Sequence, residues 1–414
     1  MRTTLGGGYW RLWTSAALSN LADGILKFAL PLLAIGYTRS PALVAGLTLA
    51  FTLPWLVFAL PAGAIADRRD RRSLMLLANT VRAALLAGLL AAVLLDAGSL
   101  WLLYVAALGA GIAETCYDTA SQAIVPQLVG RDQLPRANGR LYAAETTALE
   151  LAGPPAAGLL VTTAAALSLA TPIALWAAAI AVLLLVRGSF KVAAPDRRPV
   201  LRAEIAEGLR FVWHTGLLRT FTVMTGVFNF ASSATQAVLV LYAVGPASAM
   251  GLSESEYGWL LSLVAAGCLA GSFFAEPAER LLGTARTIGV TFFLGAASLG
   301  VPAVTTDPVI IGIAFFAGGV GLIVSNVTTV SLRQRITPDR LLGRINSSHR
   351  LVAYGTKPLG ALAGGVLAQF FGLPAVFAVM SLLAMSAVFG VRKIKGKLLH
   401  DTQTPRDPNL VTET

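Results

Sequence analysis

Seven ionisable side chains interrupt stretches that are otherwise apolar: Asp23, Lys27, Arg82, Glu114, Asp118, Glu150 and Lys357. Charge is costly in hydrocarbon, so such residues face a protein interior or a wet cavity and mark places where work is done. Asp23 and Lys27 stand four residues apart with the acid first, an order that suits an ion pair along one helix face. Glu114 and Asp118 share that spacing but are both acids. Two carboxylates one turn apart cannot both ionise cheaply in a poorly solvated site, so this pair is expected to hold a proton and to titrate as a unit. A proton held there can compete with bound cargo; the alternative is a buried acid kept paired with Arg82 or Lys27. Counted from Leu100 at about 1.5 Å per residue, Glu114 lies roughly 21 Å along its helix and Asp118 about 6 Å farther. Asp23 and Glu150 complete the set of acids open to proton coupling, with Lys27, Arg82 and Lys357 as their charge partners. Arg82 does not lose its proton and is expected to serve as a counter-ion. Lys357, beside Pro358, is placed either on an anionic group or against Glu150. Glu145, nearer a membrane surface, reads as part of a gate.

Other chemistry lacks its residues. The chain has no G-x-x-x-x-G-K-[ST] phosphate loop. It has no serine-nucleophile elbow or metalloprotease helix, and His214, His349 and His400 are far apart without metal-ligand spacing. No catalytic residue, metal site or cofactor is expected, so the chain does not read as an enzyme. A proton gradient is the expected source of energy.

The elements that must position these charges are membrane-spanning helices. Of 414 residues, 56% are hydrophobic and 13% are charged; a soluble domain has about 45–50% apolar and about 25% charged residues, so a soluble globule is excluded. A span uses about 20 apolar residues, and twelve would take roughly 240. Apolar runs recur at residues 11–36, 42–66, 73–95, 100–127, 138–162, 167–186, 217–244, 258–280, 287–304, 308–332, 344–371 and 374–391. No small-residue cleavage site follows the first run, which reads as a retained helix and not a signal peptide. With both termini in the cytoplasm, only Lys27, Arg82 and Lys357 of the 32 Lys and Arg fall within spans, and only Arg39 falls outside. The net charge of +11 is therefore a topology signal and not a nucleic-acid footprint. Cys116 and Cys268 both sit in apolar runs and suggest no disulfide framework.

The longest inner connection divides the chain into a six-helix bundle at 1–190, a linker at 191–216, a second six-helix bundle at 217–395 and a cytoplasmic tail at 396–414. Leu201, Ile205, Leu209 and Val212 give the linker an amphipathic helix suited to the membrane surface. The halves repeat: Gly153 and Gly158 recur 207 residues later as Gly360 and Gly365, and Gly63 and Arg72 recur at an offset of 208 as Gly271 and Arg280. Parallel repeats of six helices are a transporter architecture.

Between the second and third runs lies Gly63-Ala-Ile-Ala-Asp67-Arg68-Arg69-Asp70-Arg71-Arg72. Gly63 permits close helix approach, Asp67 can cap a helix or pair with a base, and the arginines hold the turn in the cytoplasm. The segment resembles the loop signature G-x-x-x-D-R-x-x-R-R of the major facilitator superfamily. Gly153-Pro154 with Gly158 is similar to a partial form of that superfamily's antiporter motif, with Leu149 where an earlier glycine would stand. The fourth-span arginine motif is incomplete, with Val105 at the matching position. Ser331 to Asn346, continuing to Pro358-Leu-Gly360, is similar to the tenth-to-eleventh-span junction of macrolide-efflux and enterobactin-exporter proteins. Glu204 to Trp213 and Asn20-Leu-Ala-Asp23-Gly24 also resemble that branch.

The resemblance implies an all-α, multi-pass protein of the cytoplasmic membrane with the major facilitator fold, twelve transmembrane helices in two bundles. It implies a cytoplasmic gate at Gly63, Asp67, Arg68 and Arg72 that latches the halves. It implies a cavity lined by spans one, four, seven and ten, which points to Phe228, Asn229, Phe230 and Gln236 and to Ser325, Asn326 and Thr328. Aromatic rings beside a few polar groups suit an amphiphilic ligand. The expected activity is proton-coupled efflux of an amphiphilic drug or siderophore-like natural product by a monomer in contact with membrane lipid. A lipid or lysolipid flippase on the same scaffold, or a non-transporting sensor, is the alternative.

Overall fold

The computed structural model describes residues 5–130, 133–188, 190, 210–336 and 339–389. The linker helix expected from residue 201 lies outside the described residues up to 209, as does the tail at 396–414; Val212, at its end, is buried against Leu218. The first half consists of α1 (Gly7–Ala34), α2 (Pro41–Val57), α3 (Ala59–Arg68), α4 (Arg71–Leu94), α5 (Leu100–Leu128) and α6 (Leu134–Thr146). A π-helical turn at Thr147–Ala152 carries α6 into α7 (Gly153–Thr163), and α8 (Ala165–Leu184) follows. The second half consists of α9 (Gly216–Ala243), α10 (Glu254–Ser272), α11 (Ala275–Leu282), α12 (Thr284–Ser298), α13 (Pro308–Ile336), α14 (Asp339–Phe371) and α15 (Leu373–Ser386). Each expected apolar run coincides with one helix or with consecutive helices. Among the described residues eight helices are long and apolar enough to cross a membrane, and α10 with α11, bent by 62°, would make a ninth. Among the described residues no strand forms; Val244 and Leu252 make an isolated bridge in one loop.

Each half has its own apolar packing. Leu26, Phe51, Leu103 and Trp176 build one cluster of the first half, and Tyr9, Met75 and Tyr117 another. Phe221, Val238, Phe292 and Phe377 build the second half, and Leu32, Val44 and Ala45 join that cluster across the seam.

The repeated glycines have equivalent structural duties. A Cβ on Gly153 would lie 2.8 Å from the Gly24 Cα of α1, and one on Gly360 would lie 2.1 Å from the Phe230 carbonyl oxygen of α9. Each therefore lets a helix meet the first helix of its own half. A Cβ on Gly158 would lie 2.2 Å from the Glu254 carbonyl oxygen at the start of α10, and one on Gly365 would lie 2.7 Å from the Ala45 Cβ near the start of α2. Each lets a helix meet the other half. Only glycine allows such backbone approach, so the 207-residue offset repeats a packing geometry as well as a residue type.

These contacts close the seam at one end of the molecule. There Ser40 Oγ donates to Gln369 Oε1 at 3.1 Å, and Thr162 Oγ1 donates to Glu254 Oε2 at 3.4 Å. At the other end, which carries Arg71 and Arg72, the halves part around a cavity.

Candidate functional site

Four of the first half's charges form two ion pairs. Asp23 of α1 and Arg82 of α4 form an ion pair with side chains 3% and 0% exposed. Arg82 Nη2 also donates to Asn79 Oδ1 at 2.8 Å, and Ser19 Oγ donates to the same oxygen at 3.1 Å. The guanidinium lies 4.8 Å from the Tyr117 ring centroid and 5.4 Å from that of Trp176, so aromatic faces cover what the carboxylate does not. The intrahelical Asp23–Lys27 pair expected from spacing is replaced. Asp23 points into the dry interior toward Arg82, while Lys27, one turn on, reaches Glu150 Oε1 at 2.8 Å. Glu150 comes from the π-helical turn, which lies where Gly24 packs on the Leu149 carbonyl. The extra residue of a π turn swings the side chains that follow it. Lys357 stands in the electrostatic field of Lys27, Glu150 and Glu114.

Glu114 is buried one turn deeper than Asp118, and its Oε2 has no hydrogen-bond partner. Asp23, Asp118, Arg82 and Lys27 all act on it electrostatically.

The arginine-rich loop is held to the first half. Arg72 donates from Nε to the Leu183 carbonyl at 3.0 Å and from Nη2 to the Leu184 carbonyl at 2.8 Å; Arg11 donates to the Leu185 carbonyl at 2.9 Å. Cations thereby meet the unpaired carbonyls and the negative dipole end of α8. Capping, expected of Asp67, is performed by Asp70, which accepts the Ser73 N–H at 3.0 Å and the Phe190 N–H at 2.7 Å. The Asp67 side chain lies outside the described residues; Arg68 is exposed. A Cβ on Gly63 would meet nothing within 4 Å among the described residues.

Between the halves lies a cavity of about 780 Å³. The first half supplies Asn20, Asp118 and Glu145 with Asn138 and Tyr142; the second supplies Phe228, Asn229, Ser325 and Asn326 with Arg333 and Lys357. Four of the expected cavity residues thus line it. Gln236 lines a smaller adjoining pocket of about 90 Å³. Phe230 packs on the second-half core, and Thr328 is 1% exposed within α13. Of the acids expected to couple protons, Asp118 lines the cavity; Asp23 and Glu114 are buried, and Glu150 is partly exposed beside Lys27. Arg333 was legible only as a topology signal, yet it continues the face of α13 set by Asn326 and Thr329 at helical spacing. Extending that face by two turns would have found it.

A family model described as transmembrane secretion effector matches residues 7–408. The multidrug efflux pump Tap of Mycolicibacterium fortuitum is 28% identical over 406 residues, covering 94% of this chain and 97% of that one. Among solved structures, a bacterial homologue of the iron transporter ferroportin in an inward-facing state superposes with a TM-score of 0.74 at 17% identity, covering 94% of this chain and 99% of that one. The nucleoside transporter NupG gives 0.74 at 10% identity, covering 94% and 99%. At such identities the two structures speak for the fold alone.

Proposed function

Because the chain belongs to the transmembrane secretion effector family of the major facilitator superfamily, and is a transporter of the cytoplasmic membrane and not an enzyme, we propose that it exports amphiphilic compounds in exchange for protons. The observation that carries this reading is the cavity shared by both halves, with polar and charged groups on its walls and Phe228 and Phe292 beside them. The name of the Tap relative, a multidrug efflux pump, supports cargo of the drug type. In this reading the broken helices α2–α3, α6–α7 and α10–α11 each form one span and α15 another. Twelve spans result, with the basic end and both termini in the cytoplasm.

Asp23 pairs with Arg82 and Glu150 with Lys27; we assign the proton to Glu114 and Asp118, the two acids one helical turn apart on α5. Glu114 has an oxygen that no protein donor satisfies, and Asp118, one turn away, meets the cavity. A proton shared between them passes from the wall interior to the site that cargo occupies. Alternation between two accessible sides then follows from parting the glycine seam at one end while the cavity closes at the other. The test is uptake of amphiphilic dyes into proteoliposomes under an imposed pH gradient. Glu114→Gln and Asp118→Asn are expected to abolish gradient-driven uptake while leaving dye binding in place. Unchanged uptake in both variants would remove the proton assignment.

A further inference from the structure

Arg333 begins the last turn of α13, lines the shared cavity and is 8% exposed. Among the described residues its Nε and Nη1 donors have no hydrogen-bond partner. A guanidinium keeps its charge at every physiological pH, and a buried charge without acceptors is held at considerable cost. An anionic group bound in the cavity would supply those acceptors. The other cation on this wall, Lys357, is already engaged by its surroundings, including the field of Glu150 and Glu114. The facing wall carries the carboxyl groups of Asp118 and Glu145 and, among the described residues, no Lys or Arg. Phe228 and Phe292 meet edge to face at 5.6 Å and offer an apolar surface within the same cavity. The cavity is therefore polarised, with Asp118, Glu145 and Tyr142 from one half and Arg333, Lys357 and the Phe228–Phe292 pair from the other.

We infer that the cavity selects amphiphiles bearing an anionic oxygen pair, a carboxylate or a phosphate, which the planar fork of Arg333 holds while the apolar body lies on Phe228 and Phe292. This rests on the transport reading for its cargo but not for its binding site. Arg is suited to the task because its fork matches paired oxygens, whereas a lysine ammonium acts as a point charge.

Calorimetric binding to the full chain in nanodiscs of zwitterionic lipid tests it, with naphthalene-2-carboxylate, 2-naphthyl phosphate and the neutral naphthalene-2-carboxamide as probes. Both anions are expected to bind at least about tenfold tighter than the amide, from the strength of charge-assisted hydrogen bonds. Arg333→Gln removes that preference; Arg333→Lys retains part of it. Adding anionic lipid to the nanodiscs separates two sources of the same chemistry. Competition with the probes places a lipid headgroup on Arg333, and its absence leaves a soluble cargo; either supports the anion site. Equal affinity for the three probes, or an anion preference that survives Arg333→Gln in a monodisperse sample, overturns it. If Arg333→Gln aggregates, unchanged anion affinity in Arg333→Lys overturns it instead. Failure of the transport reading looks different: the anion preference stays while gradient-driven uptake is absent.

Discussion

Replacing Gly158 by alanine puts a methyl carbon 2.2 Å from the Glu254 carbonyl oxygen and 3.0 Å from the Ser255 Cα. The obstruction is backbone, so no side-chain rotation relieves it. Ordinary contact starts at 3.4 Å, and the two halves must therefore part by about 1.2 Å at this point, an overpacking that costs roughly 1–3 kcal/mol. At Gly365, the equivalent position in the second half, the nearest atom is the Ala45 Cβ at 2.7 Å, and the separation needed is about 0.7 Å, toward the lower part of that range. The cost falls on the conformation in which the seam is closed and is relieved when it opens. A bias of about 1–3 kcal/mol multiplies the open population roughly 5- to 150-fold while the closed state still dominates. Ser262 reports on this, because it is buried and donates to the Leu151 carbonyl across the seam at 3.0 Å. In a Ser262→Cys background, labelling by a membrane-impermeant maleimide from the face opposite the arginine loop is expected to accelerate by that factor in Gly158→Ala. It should accelerate less in Gly365→Ala, and further in the double variant. Gly88→Ala, where an added Cβ meets nothing within 4 Å, is the control. Labelling of folded Gly158→Ala at the rate of that control would refute the argument that glycine contacts hold the seam closed.

Two further outcomes test the charges. Removing one member of the Asp23–Arg82 pair, by Asp23→Asn or Arg82→Gln, is expected to destabilise the first half by about 3–5 kcal/mol, because the survivor is left charged in a dry site. The double variant should recover part of that loss in thermal unfolding in detergent, and a double variant less stable than either single would contradict the pairing. Asp70→Ala removes a helix cap worth about 1 kcal/mol together with the anchor of the Phe190 N–H. Burial pulls the Asp70 carboxyl upward, but backbone donors, Ser73 and Phe190 foremost, outweigh it and hold it below the usual carboxylate range. A lowered folded-state value means that the stabilisation is fully present above the unfolded carboxyl's pKa and is lost as pH falls through the folded one. Wild-type and Asp70→Ala unfolding temperatures should therefore differ at neutral pH and converge in acid; a constant gap would show that the carboxylate charge contributes nothing.

Which parts of this molecule were readable in advance follows from the range over which each signal acts. Hydropathy is a property of contiguous residues, so each apolar run located a helix or consecutive helices, and the positions of Gly153, Gly158, Gly360 and Gly365 carried a repeat that the packing then explained. Ion pairing is a property of helices brought together from distant sequence. Asp23 and Lys27 share a helix face, and local spacing favoured joining them; the tertiary structure set Arg82 fifty-nine residues away against Asp23 and Glu150 against Lys27 instead. The local pair lost because a buried carboxylate gains more from a guanidinium, with Asn79 and two aromatic rings around it, than from a flexible ammonium with other acceptors within reach. Arg333 shows the converse. Counted among topogenic arginines, it was assigned to a membrane surface by its place near the end of a span, yet its side chain turns back into the cavity. Charge counting reports on which side of a membrane a residue lies and says nothing about which way it faces. Facing follows from helical phase, and on α13 that phase was already set by Asn326. In such a chain a basic residue at a span end should therefore be tested against the polar face of its own helix before it is credited to topology alone.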